Sequence, residues 1–194
     1  MATDRPALLW LHSADVPGLA DLAAAHGLDL VAPQADDRWW TVAAEADLLA
    51  LADPGRKWAA AGVGTGGQAA VRLGLRHPDR FPVVAAIDAA FDFHDLYGRG
   101  TPLDALYPTR ERARQDTAVL HVDPYKWPPH LWFAAAPAGP WYRGADRLHE
   151  KLTAYGVPHA ADLDTTGPDY VSKKLPELVA FVAAGLARES RRLA

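Results

Sequence analysis

The sequence predicts an α/β fold in which a mainly parallel β-sheet carries helices on both faces. Three observations support this prediction. Short apolar runs alternate with helical stretches along the 194-residue chain. The composition, 49% apolar and 23% charged, is typical of a globular domain with a substantial core. A strand-like run at Trp58–Val63 also leads directly into a Gly-rich turn and then a helix, as in strand-turn-helix units of parallel sheets.

The elements follow one another in a regular order. Six apolar runs predict buried parallel strands: Ala7–His12, Leu28–Ala32, Trp58–Val63, Pro82–Asp88, Leu131–Ala135 and His159–Leu163. Six stretches with apolar residues at helical spacing predict helices: Pro17–His26, Thr41–Leu51, Gly66–Arg76, Arg110–Thr117, Arg143–Tyr155 and Lys173–Ala187. No repeat or interdomain linker interrupts them, so we expect a single domain over residues 1–194.

Residues 89–130 break this alternation, because they contain five prolines and many polar and aromatic residues. We expect this excursion to form a cap over the carboxyl edge of the sheet, where open α/β folds bind their ligands. Its aromatic residues, Trp127 among them, and the nearby Trp141 are typical of ligand pockets and protein interfaces, but also of cap residues that pack on one another.

Charge and composition exclude several functions. A net charge of −4 and a pI near 6.0 argue against nucleic-acid or anionic-membrane binding. The absence of cysteine excludes disulfides, thiolate metal sites and thiol nucleophiles. The N-terminus lacks the pattern of a signal peptide and no apolar run is long enough to span a bilayer, so we expect a cytoplasmic protein.

The turn at Gly62-Val63-Gly64-Thr65-Gly66-Gly67 is the most informative segment. A turn of the form Gly-x-nucleophile-x-Gly between a strand and a helix exposes a side-chain oxygen beside backbone N–H groups that stabilise an oxyanion. Here the apex of the frame is Gly64, which has no side chain. The chain therefore has the frame of a hydrolase turn without its nucleophile.

The sequence resembles the esterase-type α/β-hydrolases, in particular the esterase D-like and feruloyl-esterase-like proteins. The matching segments cover nearly the whole chain: Leu9–His12, Gly62–Gly67, Arg76–Phe81, Arg147–Leu152, Tyr155–His159 and Leu175–Glu177. The resemblance implies a three-layer α/β-hydrolase-like sandwich with a mainly parallel sheet, trimmed at its N-terminus.

The resemblance also implies where a catalytic triad would lie. The nucleophile would be at Gly64, the acid in the loop around Gly139 and the histidine at Thr166, so none of the three positions carries a suitable side chain. We therefore interpret the chain as a pseudoenzyme that keeps a pocket for a small-molecule ligand or a protein partner. This interpretation requires no cofactor and no metal, and exposed aromatic residues are compatible with a homodimer.

Several residues remain candidates for the pocket. Thr65 is an alternative nucleophile, although a capping role at the helix N-terminus is simpler. His12 and Ser13 follow the first strand, where the resembled family shapes its oxyanion hole; a turn histidine is the simpler interpretation of His12. His94, between Asp92 and Asp95, is a candidate base or metal ligand, or a residue of a solvated loop.

Two further functions remain open. Gly62, Gly64 and Gly67 form Gly-x-Gly-x-x-Gly, and Asp88 ends the next strand, as in a dinucleotide-binding unit. We rank this alternative second because two strand-helix units precede the motif. The third alternative is an active hydrolase, or a non-hydrolytic enzyme that uses His12, His94 or Asp88 for proton transfer.

Overall fold

The computed structural model describes residues 5–12, 16–34 and 39–192. Six parallel strands form one sheet in the order β2-β1-β3-β4-β5-β6. They are β1 Ala7–Leu11, β2 Asp29–Val31, β3 Trp58–Val63, β4 Val83–Ile87, β5 His130–Ala134 and β6 Ala160–Asp162. All six correspond to the predicted apolar runs.

Within the described residues, seven α-helices accompany the sheet: α1 Leu19–Ala25, α2 Glu45–Leu51, α3 Gly64–Arg76, α4 Leu103–Leu106, α5 Arg110–Gln115, α6 Tyr142–Ala154 and α7 Tyr170–Arg192. Alternate residues of each strand point to opposite faces. Leu9 and Leu11 of β1 pack in one core with residues of α2, α3 and α6, whereas Leu8 and Trp10 pack in a second core with residues of α1 and α7. The predicted three-layer α/β architecture is therefore confirmed.

Residues 89–130 form a small structure of their own between β4 and β5. They contain α4, α5 and two 3₁₀ turns, at Phe93–Leu96 and Ala118–His121. A separate apolar cluster holds them together, formed by Ala90, Phe93, Leu103, Tyr107 and Ala113. α4 was not predicted because its four residues are too few to show a helical period.

A buried ion pair anchors this excursion to α3. Arg72 Nη1 donates to Asp116 Oδ1 at 2.8 Å, and Nη2 donates to the Trp40 carbonyl at 2.8 Å. The Tyr107 hydroxyl also donates to Asp116. Burial lowers the pKa of Arg72, and the negative charge of Asp116 opposes that shift. Removal of either charged partner would leave the other buried without an opposite charge.

In the described part of the chain, no helix is long and apolar enough to cross a membrane.

Candidate functional site

The strand order places a switch point between β1 and β3. The helix after β1 packs on one face of the sheet and the helix after β3 on the other, as the two separate cores show. Open α/β sheets bind ligands in the crevice at the carboxyl ends of such strands. His12 follows β1 and Gly64 follows β3, so the sequence candidates at these two positions lie at this crevice.

The turn at Gly64 has the backbone shape of a nucleophile elbow. Gly64 has φ +58°, and α3 begins at this residue. Its carbonyl accepts a hydrogen bond from the Ala90 N–H at 2.9 Å, which fixes the turn to the start of the excursion. A Cβ built on Gly64 would find no neighbouring atom of the described residues within 4 Å. The elbow is thus formed, and among the described residues the space above its apex is open.

The flanking glycines are required by close packing of α3 against β1. A Cβ on Gly62 would lie 2.2 Å from the Leu11 carbonyl oxygen, and one on Gly66 would lie 2.1 Å from the same atom. A Cβ on Gly67 would lie 2.9 Å from the Ala89 Cβ. Packing therefore accounts for Gly62 and Gly67 of the dinucleotide-like pattern without a bound phosphate.

The first turn of α3 provides the polar character of the elbow. The first four N–H groups of a helix have no partner within it, and the helix dipole favours negative charge there. Val63, the residue before α3, provides no side-chain cap. A carbonyl or carboxylate oxygen placed above Gly64 would therefore meet a favourable field from Gly64, Thr65 and the residues that follow.

His12 closes the other side of this crevice. It is 9% exposed, and its carbonyl accepts a hydrogen bond from Trp40 Nε1 at 3.0 Å. Its backbone nitrogen lies 2.7 Å from the Cβ position of Gly66, so the end of β1 lies directly beside the elbow. Ser13, predicted to share this pocket, lies outside the described residues.

A carboxylate lies beside the loop that would carry the catalytic acid. The loop from Ala136 to Pro140 itself has none, but Asp88 Oδ1 accepts the Ala136 N–H at 3.0 Å. A Cβ on Gly139 would lie 3.5 Å from the same oxygen. Asp88 has φ +44°, and burial raises its pKa although the Ala136 hydrogen bond opposes the shift. The sequence suggested Asp88 as part of a dinucleotide-binding unit or as a group for proton transfer, but it did not predict the hydrogen bond to Ala136, which follows β5.

The loop that would carry the catalytic histidine is organised around Asp162 instead. Thr166 is exposed. Asp162 accepts hydrogen bonds from the Thr165 N–H at 3.0 Å and the Thr165 hydroxyl at 2.7 Å, and forms an ion pair with Lys174. Although burial raises the pKa of Asp162, the bonds from Lys174 and Thr165 outweigh it and hold that pKa well below its usual range.

Tyr170, at the start of α7, was not identified from the sequence. Its hydroxyl is buried and has no hydrogen-bond partner among the described residues. Burial raises the pKa of Tyr170, and the negative charges of Asp162 and Asp88 raise it further. Tyr170 therefore lies within electrostatic range of these two carboxylates, at the carboxyl edge of the sheet. A tyrosine in a loop-to-helix junction carries no sequence signal that would have indicated this.

The remaining candidates divide between the two edges of the sheet. Trp141 precedes α6 and packs against the apolar cluster of the excursion. Trp127 precedes β5 and lines a cavity with Trp58 and Pro82, at the starts of the strands. A residue just before a parallel strand lies at the amino edge, so Trp127 lies at the edge of the sheet opposite to Gly64.

His94 lies in the first 3₁₀ turn of the excursion. Its Nε2 is 3.6 Å from Asp95 Oδ1, and its Nδ1 is buried without a hydrogen-bond partner in the described part of the chain. Burial lowers the pKa of His94, against the opposing charges of Asp95 and Asp92. Within residues 5–12, 16–34 and 39–192, no three histidine or acidic side chains are arranged to hold a metal ion.

The chain has the fold of the esterase-type α/β-hydrolases. Its structure is similar to that of FphF, a fluorophosphonate-binding serine hydrolase from Staphylococcus aureus, with a TM-score of 0.68 and 16% identity over 94% of this chain and 86% of that one. A ferulic acid esterase gives a TM-score of 0.69 and 17% identity over 95% and 86%. An S-formylglutathione hydrolase from Agrobacterium tumefaciens gives a TM-score of 0.67 and 16% identity over 94% of this chain and 84% of that one.

At the level of sequence, no family model matches the chain and no curated protein matches it. The structural likeness establishes the fold, and the residues of the site carry the argument about function.

Proposed function

We propose that this protein is a catalytically degenerate α/β-hydrolase-fold protein that binds a small carbonyl- or carboxylate-bearing ligand at Gly64 without hydrolysing it. The observation that carries the proposal is an elbow with its backbone conformation in place around an apex that has no side chain. Open space above Gly64 leaves room for a ligand atom where a nucleophile would stand. The N-terminal turn of α3 supplies the field that attracts its oxygen.

The side chains around the elbow argue against triad hydrolysis. Position 64 has no side-chain oxygen, the loop from Ala136 to Pro140 has no carboxylate, and no histidine follows His159 in the sequence. The triad members act as a unit, so the loss of one already lowers the rate by orders of magnitude. Thr65 as a substitute nucleophile would need a base to accept its proton.

A second candidate function is proton transfer in a non-hydrolytic reaction, and Asp88 favours it. Its carboxyl group is half-buried, has a raised pKa and lies near the buried hydroxyl of Tyr170. A carboxyl group with a raised pKa is suited to act as a general acid or base. In that case a bound ligand would be converted without a covalent intermediate, and Asp88→Asn would abolish conversion while binding persists.

The first test is chemical. We expect a fluorophosphonate probe not to label the purified protein and a short-chain aryl ester not to be hydrolysed above the buffer rate, because no activated nucleophile is present. Thr65→Ala is the control for the threonine hydroxyl in the turn, and Ser13→Ala is the control for the serine that the sequence places after the first strand. Labelling or turnover that disappears in either variant would instead make the protein an active hydrolase with a displaced nucleophile.

The second test measures binding. We expect ferulic acid, an aromatic carboxylate suggested by the similar esterase, to raise the thermal unfolding temperature of the wild-type protein. Gly64→Leu should remove the shift by filling the open space. Gly156→Leu is the matched control, since Gly156 also has a positive φ, +68°, and no atom within 4 Å of its Cβ position. A shift that survives in Gly64→Leu contradicts the proposal. A shift given by NAD instead, and lost in Gly64→Leu, would support the dinucleotide alternative.

A further inference from the structure

A cavity lies at the amino edge of the sheet, at the end of the strands opposite to the elbow. Its volume is about 710 Å³, and it is bounded by the segments that precede β3, β4 and β5 and by the end of α7. Pockets for small molecules and cofactors fall in this range of volumes. The cavity is unrelated to the Gly64 site, so an inference about it does not depend on the proposed function.

The charge of this cavity is opposite to that of the whole chain. Five cationic side chains line it, against two carboxylates, Asp79 and Glu189, whereas the chain carries a net charge of −4. The cations are Arg56, Lys57, Arg80, Lys126 and Arg192. A concave surface with an excess of one sign raises the local concentration of oppositely charged ligands. The cavity therefore favours an anion.

The structure separates the cations that hold the fold from those available to a ligand. Arg56 forms an ion pair with Asp29, and its guanidinium lies 5.4 Å from the ring centroid of Trp58, so it has a structural role. The Lys57 side chain forms no ion pair or hydrogen bond among the described residues. Arg80 donates Nη1 to the Ala52 carbonyl, and the other donors of its guanidinium make no hydrogen bond within the described residues.

The two carboxylates that line the cavity, Asp79 and Glu189, neutralise little of its positive charge. Glu189 is engaged by His130 at 3.1 Å. The Asp79 side chain is 90% exposed where it meets Lys126 at 3.0 Å, and such solvent-exposed pairs are weak. An incoming anion could therefore replace Asp79 as the partner of Lys126 at small cost.

An aromatic wall completes the cavity. Trp127 is half-buried and packs against the core while it faces the cavity. Tryptophan rings bind flat rings by offset stacking, and lysine and arginine bind phosphate through charge-assisted hydrogen bonds. We propose that this cavity binds a phosphorylated small molecule that carries a flat ring, as a nucleoside monophosphate does, with Lys57, Arg80 and Lys126 on the phosphate and Trp127 on the ring.

The test is calorimetric titration of the full chain with adenosine monophosphate, inorganic phosphate and benzoate at low salt. We expect the nucleotide to bind more tightly than either fragment and to weaken with added salt. Lys57→Gln and Lys126→Gln should each weaken nucleotide binding by about tenfold, the loss typical of one charge-assisted hydrogen bond. Trp127→Phe should weaken it less. Arg112→Gln, an exposed arginine of α5 beside a different cavity, should leave it unchanged.

Three results would overturn the inference. The first is no heat of binding with millimolar nucleotide. The second is equal affinity in the wild type, Lys57→Gln and Lys126→Gln, which would place the nucleotide elsewhere. The third is loss of binding in Gly64→Leu with full binding in Lys57→Gln, which would move the nucleotide to the elbow. Inorganic phosphate binding as tightly as the nucleotide would remove the role assigned to Trp127.

Discussion

The carboxyl and amino edges of the sheet offer a ligand different kinds of contact. In the site proposed at the carboxyl edge, the backbone of Gly64 and the first turn of α3 would supply the donors, and the carboxylates Asp88 and Asp162 lie at the same edge, the latter paired with Lys174. At the amino edge side chains such as Lys57 and Arg80 supply the donors. The excursion between β4 and β5 is also anchored to α3 at Asp116, whereas the amino-edge cavity is bounded by short loops and the end of α7.

This difference shows that the shape of the carboxyl edge rests on backbone packing. The elbow is held by the close approach of Gly62 and Gly66 to Leu11, and that packing involves no catalytic side chain. At the amino edge, in contrast, a substitution such as Lys57→Gln changes a cavity side chain without disturbing the core. Substitutions at the carboxyl edge should therefore mainly lower the free energy of unfolding, whereas substitutions at the amino edge should mainly weaken the binding of the proposed ligand.

The largest loss of stability is expected from a substitution in the Arg72–Asp116 ion pair, which anchors the excursion to α3. Arg72→Ala should lower the free energy of unfolding by about 3 kcal/mol, because it leaves the buried Asp116 carboxylate without its cationic partner, although the Tyr107 hydroxyl still donates to it. Urea denaturation measures the loss, and limited proteolysis should then cut within residues 107–121 before the loops of the amino edge. Arg112→Ala, on the exposed face of α5, is the control and should cost less than about 0.5 kcal/mol. Equal losses in the two variants would show that the ion pair does not anchor the excursion.

An effect of nearly the same size is expected inside the elbow. Gly66→Ala should lower the free energy of unfolding by about 3 kcal/mol, because the new Cβ would overlap the Leu11 carbonyl at 2.1 Å. Gly64→Ala should cost only about 1 kcal/mol, which reflects its left-handed backbone and not contact. Chemical denaturation of both variants beside the wild type gives the comparison. A larger loss for Gly64→Ala than for Gly66→Ala would contradict the packing argument.

The smallest effect concerns pH. The Lys174 ion pair and the Thr165 hydrogen bonds hold the pKa of Asp162 below its unfolded value, which is about 3.9. Its stabilisation is therefore present above about pH 4 and lost as the pH falls below that value. Asp162→Asn should cost about 1 to 2 kcal/mol at pH 7 and flatten the acid limb of the stability profile. Lys57→Gln, at the amino edge, should leave that limb unchanged. An acid limb that stays steep in Asp162→Asn would assign the dependence to other groups.

The fold was largely predictable because its signals are local. Each strand is a short apolar run, and buried parallel strands require apolar residues on both faces, as β4 Val83–Ile87 shows. The prediction missed α4, Leu103–Leu106, which lies between Pro102 and Tyr107 and is too short for periodicity. It also placed the start of α3 two residues late, because glycines at the elbow do not indicate a helix.

The candidate site was less predictable, because it depends on which end of the parallel strands each residue lies at and on how the loops and helices pack there. Sequence position identified Gly64 and His12, which follow neighbouring strands. Trp127 lies at the opposite edge, which the sequence did not predict because aromatic composition carries no strand direction. The contact between Asp88 and Ala136 depends on a positive φ at a non-glycine residue, and the buried hydroxyl of Tyr170 depends on how α7 docks. Neither leaves a pattern in the sequence.

The open apex at Gly64 also has a consequence for evolvability. In a working hydrolase the apex residue holds a side chain in left-handed backbone, a strain of about 1 to 2 kcal/mol that the rest of the fold must tolerate for the sake of reactivity. Gly64 adopts φ +58° without that strain. A serine introduced at position 64 would add this strain, and no histidine follows His159 in the sequence to activate it. A change toward hydrolysis at this position would thus begin with a loss of stability and no gain in activity.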